Sequence, residues 1–260
     1  MGNICDCFKD LKPPYEPTSR TPLLSAQSGP VNSQPATNNV GSSARRNKLV
    51  QQELASSLEH LTAISLAPVK TVATLDKTFQ DHSKLYNDLY NNFYELRKCL
   101  FEFKSKFVSE TAGIPTIVDC LKVLSKRCGG AHLTGSRTKN CIQIVYDKRE
   151  VSEKCEGPPE EVVEILELYN RTNKLIKNIL DKASQVSSSI QLVLEEEQKL
   201  KREVTKADPD GKLGPEPLKT TGENFIKLHK VPEYIDTIQK YTNKAFVEIM
   251  SGSKALFEET

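Results

Sequence analysis

Nine of the apolar residues between positions 72 and 107 are Val72, Leu75, Phe79, Tyr86, Leu89, Phe93, Leu100, Phe103 and Phe107, and they recur at steps of three, four or seven. That is the α-helical period, and it lines the side chains along one stripe. The series starts near Thr71 and runs into Gly113 and Pro115. It predicts a helix of about 38 residues, roughly 57 Å long. An apolar stripe of that length folds only against other helices of similar reach.

A matching series exists. Leu175, Ile179, Ala183, Val186, Ile190, Val193, Leu200 and Val204 keep helical spacing with one extra four-residue step at Ala183, a coiled-coil-like seam with a stutter. Pro158-Pro159-Glu160-Glu161 begins it with prolines in the first turn and carboxylates at the positive end of the dipole, and it extends to about Lys206. Glu195–Lys199 and Glu197–Lys201 are i,i+4 pairs for its exposed face. Shorter helices are predicted from Ala44 to Pro68 (Val50, Leu54, Leu58, Leu61, Ile64), over Thr116–Arg127, over Leu218–His229 and over Pro232–Phe257. The last presents Tyr234, Ile238, Tyr241, Ala245, Ile249 and Leu256 on one face.

Short connections favour antiparallel neighbours. The expected fold is all-α: an elongated antiparallel helical bundle over residues 44–260, with an irregular insertion at 129–157 and a turn-rich break at 207–217. Cys141–Asp147 alternates like a strand, which points to a small β-hairpin near 131–150. Residues 13–43 read as a disordered linker, because prolines and small polar side chains cannot offset the entropy of ordering. No internal repeat is present.

Composition narrows the function. A net charge of +2 gives no bulk preference for nucleic acid, and none is expected as a partner. The aromatic run Leu85–Phe103 is interrupted by Asp88, Glu95 and Glu102, and its helical spacing suits core packing better than base stacking. No run of about 18 apolar residues and no secretory signal are found, so the cysteines of the body read as reduced thiols facing cytosol.

Chemical motifs are weak. Gly130–Thr138 has the glycine spacing of a phosphate-binding loop, but Ser136 and Arg137 stand where Lys and Ser/Thr are needed. Around Asp208, Asp210 and Gly211 a calcium loop would leave Lys206 and Pro217 at ligand positions. Cys120, Cys128, His132, Cys141 and Cys155 offer no C-x₂₋₄-C knuckle for zinc. The chain is therefore read as non-enzymatic, with no metal and no cofactor.

The most specific signal is terminal. Met1-Gly2-Asn3-Ile4-Cys5-Asp6-Cys7 places Gly2 for N-myristoylation and Cys5 and Cys7 for S-palmitoylation, with Lys9 and Lys12 next to anionic lipid. Asp6 stands where Ser or Thr is usual. One myristoyl chain gives a binding constant of only about 10⁴ M⁻¹, so the cysteines are what would make anchoring stable. This stretch resembles the termini of dually acylated peripheral proteins, late-endosomal and lysosomal scaffolds among them. The resemblance implies the cytoplasmic face of a membrane, late endosome or lysosome ahead of plasma membrane or Golgi. Such proteins often carry a sorting leucine pair; Leu23-Leu24 fits, with Ser19 and Thr21-Pro22 as phosphorylation sites that would supply the missing acidic charge. The function expected is an acylated membrane adaptor or scaffold that recruits protein partners through helical surfaces, with a homodimer as one form. The alternatives are a dimeric, BAR-like membrane-shaping or tethering module and a soluble enzyme of unrecognised type.

Overall fold

The computed structural model describes residues 60–111, 113, 115–209, 212 and 214–257. They build an all-α body with one two-stranded sheet. The helices are α1 (Ala73–Ser105), α2 (Ile117–Arg127), α3 (Lys148–Lys154), α4 (Pro159–Glu195), α5 (Glu197–Ala207), α6 (Glu216–Leu228) and α7 (Val231–Phe257), and strands β1 (Thr134–Thr138) and β2 (Cys141–Val145) lie between α2 and α3.

The two long apolar stripes meet. Arg171 of α4 pairs with Glu95 of α1, and further along Lys106 Nζ lies 3.1 Å from Glu164 while His82 meets Ser189. Rising numbers in α1 match falling numbers in α4, so the helices are antiparallel. The third long helix, α7, runs parallel to α1. Tyr86 faces Tyr234 at 6.2 Å between ring centroids, and Phe93 meets Tyr241 edge-on at 5.4 Å. The two pairs stand roughly two helical turns apart in both helices, which keeps the same register along the seam. Phe79, Tyr86, Phe93, Phe107, Tyr169 and Phe225 are all fully buried.

Where α7 crosses α2, Gly252 is required by closeness. A Cβ there would fall 3.1 Å from Val118 Cα and 2.7 Å from Leu121 Cδ1. The α2 helix begins with a capping box: Thr116 accepts from the Asp119 N–H, and the Asp119 side chain accepts from the Thr116 N–H. The hairpin pairs Thr138 with Cys141 through a tight turn in which Asn140 adopts φ 60°, a conformation asparagine tolerates. Strand β2 buries Cys141, Ile142 and Ile144 against α4, while β1 stays exposed along its length.

Four boundaries differ from the sequence expectation. Leu61 and Ile64 are not helical: residues 61–69 run as an extended strap with no regular secondary structure. The part of that expected helix before residue 60, and the linker at 13–43, lie outside the described residues. Helix α1 stops at Ser105, well short of Gly113; past it Phe107, Val108 and Glu110 donate only three residues back. Both Phe107 and Val108 are buried in those tighter turns. The α4 seam breaks at Glu196, which ends α4 and opens α5, redirecting Leu200 and Val204 onto α6 and its neighbours. The segment 129–157 contains α3, capped by the Asp147 side chain on the Arg149 N–H. With Val151 as its only buried residue, α3 has no apolar period to announce it.

Candidate partner-binding surfaces

The terminal positions Gly2, Cys5, Cys7, Ser19, Thr21, Leu23 and Leu24 all lie outside the described residues. Among the described residues, no helix is long and apolar enough to cross a membrane, and no cluster of three or more His, Cys, Asp or Glu forms. Residues 134–138 of the glycine-spaced run are strand β1, so no loop and helix N-terminus follow to hold a phosphate. Asp208 accepts from the Lys212 N–H at 2.9 Å, closing the acidic turn between α5 and α6.

Cys99, Cys120, Cys128 and Cys141 are buried and Cys155 half-buried, all as free thiols. Burial pushes Cys120 up to about 12 and Cys128 up to about 11, so both are neutral core groups at physiological pH.

Among the described residues, His82 and Ser189 form a base–nucleophile contact. His82 Nδ1 is 2.7 Å from the Thr78 carbonyl, which only accepts, so this nitrogen carries the proton and Nε2 accepts from Ser189 Oγ at 3.1 Å. Both residues sit inside long helices, where neighbouring N–H groups are already bonded up the helix. The pair ties α1 to α4.

Two clefts open at the end of the bundle that holds α2. The larger, about 500 Å³, surrounds Arg127. That guanidinium is paired with Glu110 and Glu161, donates to the Lys106 carbonyl and lies 5.2 Å from the centre of the Phe107 ring. Its positive charge is neutralised by the protein. The smaller cleft, about 420 Å³, separates the hairpin from the end of α7; Ile142, Met250 and Phe257 form its apolar lining, with Arg137 and Lys254 at the rim.

At the opposite end lies the strap. Asn87 of α1 closes both main-chain groups of Ile64: the Ile64 N–H donates to Oδ1 at 2.9 Å, and Nδ2 donates to the Ile64 carbonyl at 2.8 Å. Asn224 of α6 does the same for Ala67, at 2.8 Å each way. Tyr86 Oη donates to Thr62 O, Lys227 Nζ to Ser65 O, and Asp76 accepts from the Val69 N–H. Burial raises the Tyr86 pKa further above the usual range, so this hydroxyl remains a donor. Leu61, Ile64 and Val69 point into the core while Thr62, Ala63, Ser65, Ala67 and Pro68 are exposed. Asn170 treats Ile144 of β2 likewise, and Asn173 accepts from the Ile142 N–H.

Sequence reasoning missed these asparagines. Their signal was a polar amide inside an apolar stripe: Asn173 stands between Tyr169 and Ile176, and Asn224 beside Phe225, both fully buried. A buried amide must be paired, and each of these asparagine oxygens accepts from a main-chain N–H outside its own helix.

A scan against protein-family models finds no match, and searches of curated proteins and of solved structures likewise find none.

Proposed function

We propose that this protein is an N-terminally acylated peripheral membrane adaptor, held on the cytoplasmic face of late-endosomal or lysosomal membranes, whose helical body recruits protein partners. The observation that carries the reading is the grouping of Gly2, Cys5, Cys7, Lys9 and Lys12 within a dozen residues. Gly2 would take a myristoyl chain for transient attachment, and a palmitoyl chain on Cys5 or Cys7 would make the attachment stable. Leu23-Leu24, with Ser19 or Thr21 phosphorylated, would direct sorting. The helical body supports a packing role, since its long helices present extended faces rather than a converging set of reactive groups.

The test is fractionation and imaging of the intact chain beside a variant carrying Gly2→Ala, Cys5→Ser and Cys7→Ser. Release of the variant into the cytosol, with acyl mass lost from the N-terminal peptide, is the expected result. A variant that stays on membranes overturns the reading. Sedimentation of unacylated full-length protein with acidic vesicles separates this from a membrane-shaping module: the adaptor reading expects weak binding, the other strong.

A further inference from the structure

The strap is bound as a ligand would be bound. An ordinary helix or strand satisfies its main chain with its own kind, but the strap forms no ladder. Its N–H groups at Ile64, Ala67 and Val69 and its carbonyls at Thr62, Ile64, Ser65 and Ala67 are all met by side chains from α1 and α6. Those contacts read the backbone and not the sequence. The sequence requirement falls on three buried positions, Leu61, Ile64 and Val69, and on half-buried Leu66, which packs against the same core. Pro68 holds Ala67 in the extended region and brings no N–H that the groove would have to satisfy. The walls are regular helices, and each keeps its own main-chain hydrogen bonds whatever lies between them. This combination of backbone clamps with pockets at intervals is the general form of extended-peptide recognition.

We propose that the groove between α1 and α6 is a peptide-binding site, occupied in cis by residues 61–69, and that its partner is an extended segment of another protein. That segment would present apolar side chains at a first, fourth, sixth and ninth position, with a small residue and a proline before the last. The strap is then the competitor a partner must displace. The inference deepens the adaptor reading by naming the recruiting surface, and it rests on the body binding proteins, not on acylation.

The experiment uses unacylated full-length protein and a fluorescent peptide spanning Leu58–Thr71. Leu61→Asp with Ile64→Asp weakens the cis strap while every wall residue of the groove keeps its identity. Saturable binding of the peptide to this variant is expected, at least tenfold weaker to wild type, and lost when Asn87→Ala and Asn224→Ala are added. A variant that keeps its helical circular dichroism yet binds no peptide overturns the proposal. Hydrogen exchange on wild type decides independently, including when the strap variant unfolds. The Ile64, Ala67 and Val69 amides should open in a step separate from global unfolding; exchange only through global unfolding overturns the proposal. Neither readout involves the N-terminal lipids, so failure here leaves the membrane test intact.

Discussion

A Cβ placed on Gly129 would lie 1.8 Å from the carbonyl oxygen of Lys154. Gly129 also adopts φ +60°, and just beyond it the Glu156 N–H donates to Arg127 O at 2.7 Å. The end of α2 is thus sealed onto the end of α3 by main-chain contact. Gly129→Ala forces both a left-handed side-chain-bearing residue and a backbone shift. A loss of about 2–4 kcal/mol is expected in urea unfolding. By contrast Gly222→Ala, in the open middle of α6, should be neutral or slightly stabilising.

The edge-on contact of Phe93 with Tyr241 is one of two aromatic pairs along the α1–α7 seam. Phe93→Ala should cost about 3–5 kcal/mol from cavity formation. A double-mutant cycle with Phe93→Leu and Tyr241→Leu should give a coupling of about 0.5–1.5 kcal/mol. Additive single effects would show that the rings contribute by burial alone.

Removing the amide of Asn170 strands the N–H and carbonyl of Ile144, which it holds at 2.8 Å each. Asn170→Ala should destabilise the hairpin by about 1–3 kcal/mol. Amide exchange at Ile144 should rise more than exchange in the middle of α4, where the helix bonds itself.

Glu197 links α5 to α6, lying 2.7 Å from His229 Nε2 and 2.5 Å from Lys201 Nζ. Burial alone would raise its pKa, but the hydrogen bonds from Lys201 and His229 outweigh that and hold it below the usual carboxylate range. A depressed carboxylate contributes stability above its unfolded pKa and loses it as pH falls through the folded one. The gap in stability between wild type and Glu197→Gln should therefore be full near pH 6 and close below about pH 4.

Thiol labelling should follow burial. Cys155 is half-buried, while Cys120 and Cys128 are buried and shifted upward. Mass spectrometry after brief treatment with an alkylating reagent should find Cys155 modified well before Cys120 or Cys128. Equal rates would mean that the α2 end of the bundle opens readily.

The long repeats were legible because each is local: Leu75, Phe79, Tyr86 and Leu89 announce α1 without reference to anything else in the chain. The strap was not. Leu61 and Ile64 stand at a helical interval, and what holds the chain there out of a helix is the set of side chains that clamp it: Asn87 on Ile64, 23 residues away, and Asn224 on Ala67, 157 residues away. A conformation fixed by a distant amide leaves no period in its own residues. The same holds for the groove itself, whose key side chains are single asparagines within helices that read as helices regardless.

The parallel pairing of α1 with α7, and the grip of Asn224 on Ala67, place the first-made part of the body against the last. A growing chain leaving the ribosome presents the aromatic flank of α1 long before Tyr234 and Tyr241 exist to cover it. Closure across such a separation is slow compared with helix formation. The core is completed only after translation has passed α7, and until then Tyr86 and Phe93 lack the rings of Tyr234 and Tyr241 that pack on them in the folded body.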